Sequence, residues 1–392
     1  MRAPRDDCPA FSRLSGTLPR TVIVRRLLVL LLAFALIAAA CGNGEEDTAS
    51  TTTAAATTLT TLPPTSTTAA STTTTSSTTT TTTEPALDPS LMSSLNGLQV
   101  NNKTFLDRRV IAVKIDNHPD ARPQSGLQEA DAVYELLVEG GLSRFIALFH
   151  QSDSEYLGPI RSLRPTDPTL VRYLAAPLQI SGGQPWIQSI ARADEVKLLG
   201  EGDTTFRISS RRAPHNLYGS TKLMRQLSTT RNWPNAAPLQ PIVHFGAEPT
   251  AAEGSADTIS LTWGSGYGWA PVVWQYDTET NQYLRFNGST AHNWRDVDGL
   301  EEQIAFDTLV VIQATKYTAR PSGDGSAVPA LETIGEGAAT IFFNGEYATG
   351  TWSRETIEEP FTLTSGSGET LVLPPGRLWF SVFPEGFPFS WE

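Results

Sequence analysis

Cysteine is close to absent, with two in 392 residues, at positions 8 and 41. Nothing beyond Cys41 carries a thiol, so the folded part has no disulfide framework and no structural zinc held by thiolates. It must rely on a hydrophobic core, which its length permits. Histidine is scarce as well. His118, His150, His215, His244 and His292 show no metal-ligand spacing, and the sequence predicts neither a metal nor another cofactor. No HExxH, no G-x-S-x-G elbow, no Walker loop and no dinucleotide glycine pattern occurs. Internal repeats are missing. Positive charge is in deficit, with 29 Lys and Arg against 41 Asp and Glu, a formal net charge of −12. The first 26 residues hold six Arg and two Asp; without their net +4 the remainder stands at −16. Such a chain repels anionic polymers except at a local basic pocket, and nucleic acid is not an expected partner.

What is present begins at the amino end. Arg2, Arg5, Arg13, Arg20, Arg25 and Arg26 precede an uncharged apolar run from Leu27 to Ala40. That run is shorter than the roughly 20 residues a membrane span needs. It closes in Ala38-Ala39-Ala40, followed by Cys41 and Gly42. A basic region, a short apolar core and small residues make a secretory signal over 1–40. The Cys placed at its end resembles a bacterial lipobox, with Ala38 where Leu is usual. Cys41 is thus the predicted lipidation site, and the predicted location is extracytoplasmic, anchored to the bacterial cell membrane. Thr, Ser, Ala and Pro dominate the next stretch. It cannot bury a core, so 41–94 reads as a lipid-anchored, disordered Thr-rich linker.

The remainder predicts an α+β chain in two domains: a mixed α/β N-terminal domain over 95–250 and a mainly antiparallel β C-terminal domain over 251–392. In the first, 109–115, 134–138 and 144–149 read as strands. Gly140-Gly141 reads as a hairpin placing Glu139 across from Arg144. Asp167 with Pro168 reads as a helix start, Asp as N-cap. Further helices are expected over 186–196 and from Ser220. In the second, 272–277 and 282–286 flank a Thr-Glu-Thr-Asn turn. Asn344-Gly345 between 339–343 and 347–352 is a strong hairpin signal. Its Trp residues are expected in the core.

Three polar, Pro-punctuated loops follow apolar strands or precede helices, where function commonly sits. They contain Asp116, Asn117, His118 and Arg122; then Arg161 and Arg164; then His215, Asn216 and Tyr218. The Arg fork suits carboxylate or phosphate. Asp116 is a candidate base or, equally in keeping with its strand-end position, a turn cap. His118 and His215 are candidate proton carriers or plain polar contacts. Arg161 and Arg164 suit a ligand anion or a buried carboxylate such as Glu135. Glu135 itself is a candidate base, although paired carboxylates also serve structure.

These segments carry a resemblance. AVKIDNHPDARPQSGLQEADAVYELLVEGGLSRFIALF at 112–149, GPIRSLRP at 158–165, APHNLY at 213–218, YLRFNG at 283–288, NGEYATGTW at 344–352 and LPPGRLWFSVFP at 373–384 resemble the YerB-like bacterial lipoproteins. That family has a two-part domain of unknown function, so the resemblance implies location and architecture but no reaction. Two functions fit the residues. One is a non-catalytic envelope module binding an anionic cell-wall polymer or an envelope protein through the Arg-lined loops. The other is a hydrolase or transferase acting on a cell-wall glycan or phosphodiester.

Overall fold

The computed structural model describes residues 88–264 and 270–392. The predicted signal, Cys41 and the Thr-rich stretch as far as 87 lie outside the described residues. Pro89–Leu91, ahead of residue 95, is a short 3-10 helix capped by Asp88, and Met92 bridges to Gln99. No helix among the described residues is long and apolar enough to cross a membrane.

Strands dominate both parts of the chain. Three in the first part are Ile111–Ile115 (β1), Ala132–Leu137 (β2) and Ser143–Phe149 (β3). Every residue of all three is buried. Their near-continuous apolar character reflects a sheet covered on both faces. Two short strands follow, Leu178–Gln179 (β4) and Leu198–Leu199 (β5). Among the described residues, α-helix is confined to Thr166–Val171 (α1), Pro185–Ala193 (α2) and Thr221–Thr230 (α3).

The second part supplies Thr258–Leu261 (β6), Val272–Asp277 (β7), Gln282–Asn287 (β8) and Thr308–Ala314 (β9). Gly335–Phe343 (β10), Glu346–Arg354 (β11), Thr362–Ser365 (β12), Leu378–Pro384 (β13) and Phe389–Trp391 (β14) complete it. One sheet runs β12-β11-β10-β9-β13-β2-β3-β1-β4-β5, with Gly254–Ser255 as an eleventh strand on β11. It passes through both parts without a break. β13 lies parallel to β9 on one side and parallel to β2 on the other, with Leu378 opposite both Thr308 and Ala132. A second sheet of six strands is built around β14-β6-β7-β8.

The Asn344-Gly345 hairpin joins β10 to β11 with Phe343 opposite Glu346. Both turn residues have positive φ, 54° and 74°, the combination a tight primed turn demands. Trp379 on β13 sits where the layers meet. Its ring is 5.0 Å from Phe145, 5.1 Å from Trp274 and 5.1 Å from Phe306, all edge-on.

Two local expectations are corrected. Asp167 does not cap α1; the helix starts at Thr166 with Pro165 at the cap position. Asp167 points inward instead, accepting from Lys114 Nζ at 2.6 Å and from the Arg164 amide at 2.7 Å. Burying that ammonium pulls Lys114 down to about 8, despite the carboxylate beside it. Gly140-Gly141 does not close a two-residue hairpin either. Glu139–Gly141 forms a 3-10 turn, and Glu139 pairs with Arg164 at 2.7 Å rather than with Arg144.

Candidate functional site

β1 ends at Ile115, and the chain turns into the loop 116–123. Pro119–Ala121 forms a 3-10 turn capped by His118, whose Nδ1 accepts from the Asp120 amide at 3.2 Å. The loop 158–165 crosses beneath. The Asp116 amide donates to Pro159 O at 2.8 Å, and the Arg161 amide donates to Lys114 O at 2.9 Å. The third loop joins through the Ile160 amide, which donates to Leu217 O at 2.7 Å. Gly158 allows this close crossing: a Cβ there would meet Leu217 O at 2.8 Å and the Tyr218 ring at 2.9 Å. Arg211 ties the outer edge, donating to Asp120 O at 3.0 Å and to Pro123 O.

Asp116 is the hub, and it is almost wholly buried. Its Oδ2 accepts from Arg161 Nε at 2.8 Å and from His215 Nδ1 at 2.7 Å. Its Oδ1 accepts the His118 amide at 3.2 Å and has Arg144 Nε 3.7 Å away. Burial would raise this carboxyl; Arg161, then Arg144 and the His215 bond, outweigh it and hold Asp116 below the usual range. His118 stacks on His215, with ring centroids 4.8 Å apart and planes 24° apart. With Nδ1 of His215 given to Asp116, Nε2 is the nitrogen left to meet a ligand or a proton.

Three guanidiniums gather here. Arg161 holds Asp116, Arg164 holds Glu139, and Arg144 stands between them. Burial drives Arg144 down to about 10, and repulsion from Arg164 adds to it. Arg144 is 9% exposed, and its Nε has no hydrogen-bond partner among the described residues. Its NH1 donates to Ser162 O at 3.4 Å, a long bond. A buried cation this poorly satisfied is costly unless an anion joins it. Glu139 is lowered: burial opposes this, but the Arg164 hydrogen bond prevails.

The other predicted residues fall elsewhere. Arg122 folds back onto Asn117, Nε to Oδ1 at 3.0 Å, and burial lowers it to about 10. Asn117 donates to Ser143 Oγ at 2.9 Å, and Ser143 donates to Glu135. Glu135 lies in the interior, away from solvent. Arg285 NH2 reaches its Oε1 at 2.7 Å, and Trp379 Nε1 reaches its Oε2 at 2.9 Å. The network continues from Arg285 to His292 and on to Gln124, whose Oε1 is 2.8 Å from His292 Nε2. Burial, then Arg285 and Arg122, keep His292 well below its ordinary value. Asn216 accepts from Arg207 at 2.7 Å, and Tyr218 is buried against Tyr156. A cavity of about 440 Å³ opens beside this network, between Arg122, Ser143, Trp263, His292 and Asn293. None of Asp116, Arg161 or His215 lines it.

Sequence reasoning missed Arg144 as a member of the Asp116 cluster, because a strand pairing accounted for it. It missed Asp120, whose only signal was its place between His118 and Arg122. Arg285 and His292 carried no signal at all, being far from the three loops in sequence.

The polar cluster and the shared sheet coincide with a known family. Residues 95–234 match the model described as "Protein of unknown function (DUF3048) N-terminal domain", and 259–380 match its C-terminal counterpart. The chain belongs to this family. It is similar to YerB of Bacillus subtilis (strain 168), a protein named as a lipoprotein, with 25% identity over 305 residues covering 77% of this chain and 88% of that one. The crystal structure of the YerB protein from Bacillus subtilis has the same fold. Its TM-score is 0.66 at 23% identity, over 76% of this chain and 99% of that one.

Proposed function

We propose that this chain is a lipid-anchored, extracytoplasmic envelope protein whose arginine cluster binds an oxyanion group of a cell-wall polymer. Residues 95–250 act as the α+β module bearing the site, and the β-rich residues 251–392 back it. The anchor is Cys41, in keeping with the lipoprotein name of its relative. The observation that carries the binding role is Arg144, buried beside Arg161 and Arg164, whose Nε makes no hydrogen bond and only a 3.7 Å ion pair to the Asp116 carboxylate that Arg161 also holds. Phosphate or carboxylate offers the planar or forked acceptors that such guanidiniums take.

Titration calorimetry of the full chain with a phosphodiester wall-polymer fragment tests this. Arg144→Gln is expected to weaken binding by roughly tenfold or more, the loss of one charge-assisted bond. Unchanged affinity in that variant, or no affinity in the unaltered protein, refutes the reading.

The Asp116–His215 pair favours a second reading, hydrolysis or transfer on a wall glycan or phosphodiester. Asp116 is too enclosed to touch substrate, so it orients His215. The proton-carrying atom is then Nε2 of His215, with Arg144 and Arg161 opposite developing negative charge. Turnover of wall fragments that vanishes in His215→Ala supports it; turnover that persists there removes it.

A further inference from the structure

We propose that His118, Asp120 and His215 form a divalent-cation site of the zinc type. The inference does not depend on the anion reading, since it concerns the bare protein and a metal ion.

Spacing along the chain conceals this set, because His215 comes from a different loop. The fold brings one ligand atom of each residue within 4.8 Å of the other two. The His118 ring also touches Asp120: its Nδ1 lies 3.6 Å from Asp120 Oδ2 and accepts the Asp120 amide at 3.2 Å, a bond that an ion on Nδ1 would displace. Ligands on a tetrahedral zinc, with bonds of about 2.0–2.1 Å, sit about 3.3 Å from one another. Closing the remaining gap falls mainly to Asp120, whose side chain is 74% exposed and has room to swing.

The outer layer is what a metal site requires. A ligating imidazole usually gives its other nitrogen to a carboxylate, which fixes the ring and its tautomer. Asp116 takes Nδ1 of His215 at 2.7 Å, so Nε2 presents its lone pair. Arg161 Nε, 2.8 Å from Asp116 Oδ2, and Arg144 Nε, 3.7 Å from Oδ1, hold that carboxylate in place. The backbone bearing the other two ligands is fastened as well. The His118 amide donates to Asp116 Oδ1, and Arg211 holds Asp120 O. Asp116 is shared by Arg161 and Arg144, and the negative charge that meets the cation directly is that of Asp120, at the ligands themselves.

The donor set narrows the ion. Two imidazoles and one carboxylate suit Zn²⁺ or a neighbouring transition ion, whereas Ca²⁺ takes six to eight oxygens. Burial grades outward across the ligands, with side-chain exposure of 13% at His215, 37% at His118 and 74% at Asp120. An ion held there keeps an open coordination position toward solvent, the mark of a site that handles a ligand rather than one that only braces the fold.

The test is metal binding by the full chain, read by competition of Zn²⁺ against a chromophoric chelator, with Co²⁺ as a spectroscopic substitute. One Zn²⁺ per chain is expected, with Co²⁺ giving visible bands of a four- or five-coordinate centre. Asp120→Asn acts on an exposed side chain and His118→Ala on a half-buried one that caps a single 3-10 turn, and each is expected to abolish the Co²⁺ bands while the circular dichroism of the chain stays unchanged. Asp116→Asn is expected to weaken Zn²⁺ binding by about 10- to 100-fold while the bands remain, as befits a positioning residue. No binding at micromolar Zn²⁺, or binding unaffected by His118→Ala and Asp120→Asn, overturns the proposal.

Discussion

Arg285→Met should lower the stability of the whole chain by about 3–5 kcal/mol, the usual cost of stranding one member of a buried ion pair. Both partners are sealed, with side chains 0% and 1% exposed and 2.7 Å between Arg285 NH2 and Glu135 Oε1. Arg285 also lies over the rings of Phe145, Trp274 and Trp379 at 5.2–5.6 Å, contacts that Met replaces only in part. The pair joins β2 to β8 beside Trp379 on β13, so its loss acts on both family segments together. Urea unfolding followed by Trp fluorescence and by circular dichroism should therefore show one transition moving to lower urea in both signals. Glu135→Gln keeps acceptors and donors for Trp379 and Ser143 while removing the stranded charge. The double variant Glu135→Gln with Arg285→Met should thus recover about 2 kcal/mol of the single loss, within the range of measured couplings between contacting residues. A cost below about 1 kcal/mol for Arg285→Met, or a double variant that merely sums the two single losses, would refute the reasoning.

Other outcomes follow from sites outside that network. Arg225 and Arg108 both hold Asp153 at 2.8 Å; burial opposes but does not cancel their lowering of its carboxyl. A depressed carboxyl adds stability above its unfolded value near 3.9 and loses it as pH falls through the folded one. Asp153→Asn should therefore flatten the fall in urea midpoint between about pH 5 and pH 2; an unchanged slope counts against this account. Gly345→Val should cost at least about 1–2 kcal/mol, since its φ is 74° and a Cβ there meets the Tyr276 ring at 2.6 Å. A melting temperature equal to the unaltered protein's would exclude strain at this turn. Trp379→Ala should cost about 3–5 kcal/mol by opening a cavity among Phe145, Trp274 and Phe306, measured as a loss in urea midpoint. A smaller change would mean that these rings collapse into the space.

Legibility followed the range of the interaction. Asn344-Gly345 could be read because a tight turn is decided by its own residues. The strands 272–277 and 282–286 appeared almost as expected, since alternation and a turn lie within one short window. Asp167 misled because its partner Lys114 is 53 residues away, and a free Asp before Pro168 does look like a cap. Arg144 misled for a similar reason: the turn Glu139–Gly141 swings Glu139 toward Arg164, which no local pattern reveals. The three loops announced themselves by composition. Which of their side chains meet, and that Glu135 would be enclosed by a residue 150 positions later, depended on the pairing of β2 with β13. Parallel pairing leaves no hairpin signal between the strands it joins.

That pairing bears on the order in which the protein is made. β13 is the middle member of a parallel trio, yet it follows both of its partners in the chain, Leu378 coming long after Ala132 and well after Thr308. Until residue 384 is free, β9 and β2 each present an unpaired, largely apolar edge, the kind of surface that recruits other chains. The nascent protein must therefore be shielded until β13 has emerged. A stop ahead of Leu378 would remove the strand to which both halves are hydrogen-bonded.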